Sequence, residues 1–163
     1  MPWPANAAWG SLWRCEEMLA WSFVAVPFWV YFGLLFRAFG NRFAWRGGYR
    51  AAVACFSRAL AYAPGNAQLY FWRGTLYWRE LEETGRAEAD LSRAIELDPK
   101  MARAYLNRGL ARWYAAEADR AAAVADLRAF LEHSTDSYWR EVALRLLQQA
   151  EQSPLPGEAG PAP

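Results

Sequence analysis

The 163-residue sequence has few of the residues that build catalytic and metal sites. His133 is its only histidine, which excludes a catalytic triad or a multi-histidine metal site within one chain. The two cysteines, Cys15 and Cys55, lack the CxxC spacing of zinc and redox sites, and no glycine-rich phosphate loop is present. We therefore expect no enzyme activity, no catalytic residues, no metal, no cofactor and no small-molecule substrate.

Acidic residues are absent between Glu17 and Glu80. Residues 37–79 carry a charge of +7, whereas residues 80–163 carry ten basic and fifteen acidic groups. A basic stretch is one mark of nucleic-acid binding. Because the acidic second half would repel phosphate, we expect no nucleic-acid partner.

Three short segments recur at a fixed interval along the chain. Each contains one of three alanines spaced 35 residues apart: Ala59, Ala94 and Ala129. Each is preceded by one of three glycines, at intervals of 34 and 35 residues: Gly40, Gly74 and Gly109. A period of this length is typical of a helix-turn-helix solenoid, whose units bury their apolar faces only by stacking. The sequence therefore predicts an all-α fold of at least three units.

The residues around these anchors resemble the tetratricopeptide repeat (TPR) family, whose repeat has about 34 residues. The first unit matches its pattern at Phe36, Gly40, Phe43, Ala52, Phe56, Ala59 and Pro64. The second matches at Tyr70, Gly74, Tyr77, Ala87, Leu91, Ala94 and Pro99. The third keeps Tyr105, Gly109 and Ala129, with Arg112 and Ser134 in place of the usual tyrosine and proline. The resemblance implies a right-handed solenoid of three repeats over residues 33–134, divided into 33–66, 67–101 and 102–134.

An uncharged apolar run covers residues 18–36. A helix of that length, at about 1.5 Å per residue, spans roughly the 30 Å hydrocarbon core of a bilayer. Pro27 near its middle is tolerated in membrane helices, and the run lacks the basic start and cleavage site of a signal peptide. We expect an N-terminal segment (1–17) and a transmembrane helix (18–36) that continues without a linker into the first repeat. The alternative is an apolar helix packed on the first repeat or on a partner subunit.

Arginines close behind the apolar run orient the expected span. By the positive-inside rule they place the repeats on the cytoplasmic side. Four of them are expected to contact lipid headgroups: Arg37, Arg42, Arg46 and Arg50. Seventeen arginines against a single lysine, with abundant alanine, indicate a GC-rich genome. The expected localisation is therefore a membrane, as a single-pass protein of the bacterial inner membrane, with the lipid bilayer as one partner.

Two features are expected after the repeats. Hydroxyls and a carboxylate at residues 134–137 are typical helix-capping groups, so a last helix is predicted over 137–152. Such a helix shields the open end of a solenoid. The tail, 153–163, has four prolines in eleven residues and is expected to be disordered.

In the TPR family the first helix of each repeat lines a concave surface, so the resemblance implies a groove that binds a protein or peptide. The matching residues are Arg37, Asn41, Phe71, Trp72, Thr75, Trp78, Arg103, Leu106, Asn107, Leu110 and Trp113. The alternative is that several of these rings pack within the fold. Family members that clamp a peptide's terminal carboxylate use basic residues and asparagines; Arg37, Asn41 and Arg103 match that pattern. Trp72 and Asn107 depart from it, in place of an asparagine and a basic residue.

Together these observations predict a membrane-anchored TPR scaffold or adaptor that binds a partner protein or peptide at the cytoplasmic membrane face. One alternative is a small accessory subunit of a larger membrane complex, whose apolar helix packs on other spans. Another is a soluble chaperone-like module, in which residues 18–36 form a packed helix.

Overall fold

The computed structural model describes residues 13–115 and 119–152. This part of the chain is helical and contains no strand. The helices are α1 (Trp13–Phe43), α2 (Arg46–Tyr62), α3 (Ala67–Arg79), α4 (Thr84–Leu97), α5 (Ala102–Trp113), α6 (Arg120–His133) and α7 (Ser137–Gln152). The predicted all-α fold is confirmed. The predicted disordered tail, 153–163, lies outside the described residues.

Consecutive helices pair as hairpins: α1 with α2, α3 with α4, and α5 with α6. The chain divides into two compact units between Gly65 and Asn66. The first unit holds the α1–α2 hairpin, and the second holds the other two hairpins together with α7, which packs on α6. At the start of the second unit, the Asn66 side chain accepts hydrogen bonds from the backbone N–H groups of Gln68 and Leu69 and so caps α3.

Helix α1 has 31 residues, whereas α3 and α5 have 13 and 12. It contains the apolar run and continues through Pro27 into the first hairpin. Among the described residues, Val24–Phe43 is long and apolar enough to cross a membrane, judged by length and composition alone. Core helices of soluble proteins pass the same test, so α1 is only weak support for the predicted span.

Glycines bring α1 and α2 close together. A Cβ atom at Gly33 would lie 2.5 Å from the ring of Phe56, which is fully buried, and one at Gly40 would lie 2.6 Å from the ring of Tyr49. In the repeat alignment Gly40 corresponds to Gly74 and Phe56 to Leu91, yet the structure places Gly33, two turns before Gly40, against Phe56. The cause is the length of the turn, since two residues separate α1 from α2 and four separate α3 from α4.

Two apolar clusters form the core of the second unit. The smaller one joins α4 to α5 through Leu91, Ala94 and Ala104. The larger one joins α5, α6 and α7, and its buried members are Leu106, Leu110, Trp113, Ala123, Leu127, Phe130, Ala143 and Leu146. Helix α7 therefore covers an apolar face of the last hairpin, which is the role expected of a capping helix.

Candidate functional site

Two ion pairs at corresponding positions join the helices of the second and third hairpins. The guanidinium of Arg73 donates two hydrogen bonds to the carboxylate of Asp90, both 2.7 Å long. In the next hairpin, Arg108 donates to Asp126 at 2.9 and 2.6 Å. Both carboxylates are buried. The arginines are 35 residues apart and the aspartates 36, so the repeat spacing itself was a signal that sequence reasoning missed.

The ion pairs stabilise the charged form of these arginines and use their guanidinium N–H groups as hydrogen-bond donors within the fold. Hydrogen bonding to Asp90 raises the pKa of Arg73 above its usual value. Burial lowers the pKa of Arg108, but the hydrogen bond to Asp126 and nearby negative charges outweigh this effect and raise it overall. Arg112 also donates to Asp126 at 2.9 Å, and to Glu88 at 2.7 Å. These guanidinium groups are therefore committed to the fold.

Three predicted groove residues belong to the core instead: Leu106, Leu110 and Trp113. All three are buried, in the same cluster as Ala143 and Leu146 of α7. Because α7 packs against the last hairpin, the apolar side of α5 is covered. The structure thus corrects the predicted groove at these positions.

The middle of α3 is joined to α5 by a short chain of hydrogen bonds. The Asn107 side-chain nitrogen donates to the Thr75 hydroxyl at 2.9 Å, and that hydroxyl donates to the backbone carbonyl of Phe71 at 2.8 Å. Among the described residues, no donor reaches the Asn107 side-chain oxygen. Trp78 is half-buried and packs against the larger cluster, with the Arg79 guanidinium 5.9 Å from its ring centroid. Asn107 therefore keeps one hydrogen-bonding atom available, whereas Trp78 is mainly a packing residue.

The second unit also contains an open cavity of about 390 Å³. Its walls come from α3, from the start of α5 and from the turn between α6 and α7. The lining residues are Gln68, Phe71, Trp72, Met101, Ala102, Arg103, His133, Ser134, Thr135 and Asp136. The structure thus brings together three of the predicted groove residues, Phe71, Trp72 and Arg103, in one concave site.

Arg103 differs from Arg73, Arg108 and Arg112, which form ion pairs within the second unit. It is exposed, and no carboxylate forms an ion pair with it among residues 13–115 and 119–152. It lies one helical turn before Asn107, so the two side chains project from the same face of α5. A cation and an amide oxygen are therefore both available beside an aromatic wall.

The remaining predicted site residues lie on α1 and α2 in the first unit. Arg37 is half-buried and Asn41 is exposed. The arginines predicted to contact lipid headgroups are all in this unit, and three of them are exposed: Arg42, Arg46 and Arg50. The Arg42 guanidinium stacks 5.7 Å from the centroid of the Phe43 ring.

Chemically reactive groups are few in the described part of the chain. No group of three or more histidine, cysteine or acidic residues is arranged there to hold a metal ion. Cys55 is buried, and burial raises the pKa of its thiol although the nearby charge of Arg58 lowers it in part. A thiol in that environment stays protonated at neutral pH and is a poor nucleophile.

Comparison with known proteins agrees with the repeat architecture. The tetratricopeptide repeat model matches residues 67–101, the second repeat. The Arabidopsis OM64 TPR domain is 26% identical, with a TM-score of 0.66, and the match covers 78% of this chain and 98% of that domain. The first TPR of Spaghetti (RPAP3), solved with the HSP90 peptide SRMEEVD, is 27% identical with a TM-score of 0.60, covering 76% of this chain and 96% of that one. The second TPR domain of human RPAP3, solved with the HSP70 peptide SGPTIEEVD, is 25% identical with a TM-score of 0.60, covering 77% and 98%.

The similar curated proteins are RNA polymerase II-associated protein 3 from vertebrates. The Xenopus tropicalis protein is 32% identical over 120 residues and the mouse protein 30% over 132, matches that cover 74% and 79% of this chain. The chain spans only 18% and 20% of the length of these relatives.

These relatives contradict the localisation predicted from the sequence. The predicted localisation was that of a single-pass protein of the bacterial inner membrane with cytoplasmic repeats. It is wrong because the curated matches are eukaryotic RNA polymerase II-associated proteins. The physical reason lies in α1, where part of the apolar run is a packing face: Gly33 contacts the buried Phe56, and Trp29 stacks on Arg58. One side of the apolar run thus packs on α2, while Val24, Phe28 and Tyr31 of the same run are exposed.

Three lines of observation agree on the family. The sequence has a period of 34 to 35 residues, the structure has three consecutive helical hairpins followed by a capping helix, and the solved relatives are TPR domains. The chain belongs to the tetratricopeptide repeat family.

Proposed function

We propose that this chain is an adaptor that binds an extended, acidic peptide segment of a partner protein on the exposed side of α3 and α5. The observation that carries the proposal is Arg103, an exposed cation beside Trp72 with no ion-pair partner among the described residues. Arg73 and Arg108, in contrast, have their guanidinium groups held by buried aspartates. A planar guanidinium beside an aromatic wall is well suited to bind a carboxylate with two hydrogen bonds.

Asn107 supports an extended backbone conformation for the ligand. Its side-chain oxygen is left available by the bond to Thr75, one turn along α5 from Arg103. A backbone N–H of an extended peptide is the natural donor to such an oxygen. We therefore propose that Arg103 contacts the ligand carboxylate and that Asn107 contacts the adjacent ligand backbone.

The relatives support an acidic ligand. The RPAP3 domains were solved with the peptides SRMEEVD and SGPTIEEVD, which share the ending EEVD. This chain does not carry the complete clamp that the family resemblance implies for a terminal carboxylate, because Trp72 and Asn107 replace two of its residues. We therefore propose the same ligand class, with Arg103 as the main contact for charge.

The test is a fluorescence anisotropy titration of the full chain with labelled SRMEEVD and with the analogue SRMQQVN, in which amides replace the three acidic side chains. The acidic peptide is expected to bind more tightly. Arg103→Gln should weaken its binding by about 1.5–3 kcal/mol, the usual value of a hydrogen bond to a charged group. Arg128→Gln is the matched control, because Arg128 is exposed on α6 and lies outside the cavity. Equal affinity for the two peptides, or equal effects of the two substitutions, would contradict the proposal.

The proposal also assigns a protein-binding role in place of catalysis or nucleic-acid binding. A single-stranded oligonucleotide in the same titration is expected to give no saturable signal, because acidic groups outnumber basic ones over residues 80–163. Saturable oligonucleotide binding at physiological salt would overturn this part.

A further inference from the structure

One side of α1 carries a row of apolar side chains that the described fold leaves largely uncovered. We call this row the α1 stripe. Its residues are Val24, Phe28, Tyr31, Leu35 and Phe39. Four of them are exposed, and Leu35 is half-buried. At 3.6 residues per turn the stripe lies on the side of α1 opposite Gly33, which faces the Phe56 ring of α2.

The spacing of the α1 stripe is that of a helix-packing surface. Its residues are separated by four, three, four and four positions, close to the repeat of helices that pack along one another. At about 1.5 Å per residue the stripe is about 23 Å long, which is room for roughly four turns of a second helix. Large apolar side chains exposed in one continuous row are typical of an interaction surface.

The charge around the stripe selects the kind of partner. Residues 24–65 include five arginines and no acidic residue. Arg42 follows Val24 by about five helical turns, so it lies at the end of the stripe on the same side of α1. Arg42 is exposed and forms no ion pair among the described residues. An acidic partner is attracted to this hairpin, whereas a second copy of it brings the same positive charge and is repelled.

A bilayer fits this side of α1 less well than a protein does. Helix α2 runs beside α1, with the Tyr49 ring against Gly40 and the Arg58 guanidinium 4.9 Å from the centroid of the Trp29 ring. The part of α1 after Trp29 therefore cannot cross a membrane unless Arg58 enters the hydrocarbon with it, which is costly. A partner helix covers only the exposed stripe and leaves α2 in water.

We propose that the α1 stripe binds an amphipathic helix of a partner protein, whose apolar side packs on the stripe and whose flanking carboxylates include one that pairs with Arg42. This surface belongs to the first unit, whereas the peptide site proposed above belongs to the second. The inference does not depend on that site, and it gives the chain a second contact with protein.

The probes are three labelled synthetic peptides of three heptads each. The first has leucine at the a and d positions and glutamate at e and g. The second has lysine in place of the glutamates, and the third keeps the glutamates but has serine in place of the leucines. Like charges at e and g oppose pairing of any of these peptides with itself. Fluorescence anisotropy titrations of the full chain are expected to show the first peptide binding at least tenfold more tightly than either of the others.

Substitutions in the stripe test the apolar contact. Val24→Ser and Tyr31→Ser should each weaken binding of the first peptide at least fivefold, because each removes an exposed apolar side chain from the seam. Tyr138→Ser is the matched control, since Tyr138 is equally exposed on α7. Thermal melts of every variant check that the fold is intact. Equal effects of Tyr31→Ser and Tyr138→Ser would overturn the proposal.

A substitution of Arg42 tests the charge contact. Arg42→Gln should reduce the preference for glutamate over lysine at least threefold, while Arg128→Gln and Arg103→Gln leave it unchanged. If Arg103→Gln alone abolished the preference, the acidic helix would be bound at the peptide site and the α1 stripe would not be its surface.

Two further measurements distinguish the other occupants. If the glutamate peptide does not bind, but the chain binds vesicles containing phosphatidylserine and Tyr31→Ser abolishes that binding, the stripe contacts lipid and the proposal fails. It also fails if sedimentation shows a dimer of the native chain that Tyr31→Ser converts to a monomer. Neither result affects the proposed function, which depends on SRMEEVD and Arg103.

Discussion

The first hairpin and the two hairpins of the second unit hold their helices together by different contacts. In the second and third hairpins, an arginine on the first helix is paired with a buried aspartate on the second, as in Arg73–Asp90. In the first hairpin, Cys55 stands at the repeat position of Asp90, 35 residues earlier, and is also buried. Close contact there depends on glycines against the rings of Tyr49 and Phe56.

The difference shows which features of the repeat are required and which are interchangeable. Small residues are needed in every hairpin, because two helices approach closely only where a side chain is missing. What lies opposite the small residue can be an ion pair or an aromatic ring. The first hairpin cannot form the ion pair, since no acidic residue occurs between Glu17 and Glu80.

The largest expected effect on stability comes from removing a buried ion pair of the second unit. Asp126→Ala should lower the free energy of unfolding by about 3–5 kcal/mol, because it removes the carboxylate shared by the largely buried Arg108 and Arg112. Urea denaturation followed by circular dichroism measures the change. Glu141→Gln is the control, because its pair with Arg145 is exposed and contributes less than about 1 kcal/mol. A loss no larger than that of Cys55→Ala would show that the ion pair is not what distinguishes these hairpins.

A smaller effect is expected in the first hairpin, where glycines pack against aromatic rings. Gly33→Ala puts a methyl group 2.5 Å from the ring of Phe56, which is fully buried and has little room to move. Overpacking of this kind costs about 1–3 kcal/mol. Gly109→Ala is the matched substitution in the third hairpin, where the nearest atom is 3.1 Å away. Thermal unfolding should therefore show a clearly lower melting temperature for Gly33→Ala than for Gly109→Ala.

Equal melting temperatures for those two variants would mean that α1 and α2 separate easily. The short α1–α2 turn would then not hold the register that places Gly33 opposite Phe56.

The smallest expected effect concerns the turns inside the hairpins. Ala44 in the first hairpin and Glu82 in the second both have positive φ angles, 48° and 60°. Glycine adopts this conformation without the steric cost that other residues have. Glu82→Gly should therefore raise the free energy of unfolding by about 0.5 kcal/mol after its greater entropy loss is included. Glu80→Gly is the control and should be destabilising, because Glu80 has a φ of −114°. If both Glu82→Gly and Glu80→Gly raised the free energy of unfolding, the cause would be the loss of a negative charge and not the backbone conformation.

Much of the architecture could be predicted from the chain itself. The spacing of Gly74, Ala94 and Pro99 relative to their neighbours one repeat away predicted helical hairpins of the TPR type, and the solved relatives confirm it. The candidate site was predicted less well. Phe71, Trp72 and Arg103 do meet in one cavity, but that cavity also depends on the turn at 133–136, which no repeat position indicates.

The membrane interpretation failed for a physical reason. An apolar run has the same composition whether it faces lipid or another helix, and the α1 residues that contact α2 are part of that run. Charge bias alone did not separate these cases, and the vertebrate relatives contradict the predicted bacterial membrane.

The sequence by itself determined the helical class, the repeat period and the positions of the small residues, because these depend on spacing along one chain. Only the tertiary structure decided which charged side chains form ion pairs within the fold and which are exposed and open to a ligand. Arg73 and Asp90 are 17 residues apart, and Arg108 and Asp126 are 18 apart, so each pair meets only when its hairpin closes. The burial of Trp113 likewise depends on α7, which reaches it only through folding. Arg103 remains exposed for the same reason, because no carboxylate of the described fold is brought within ion-pair distance of it.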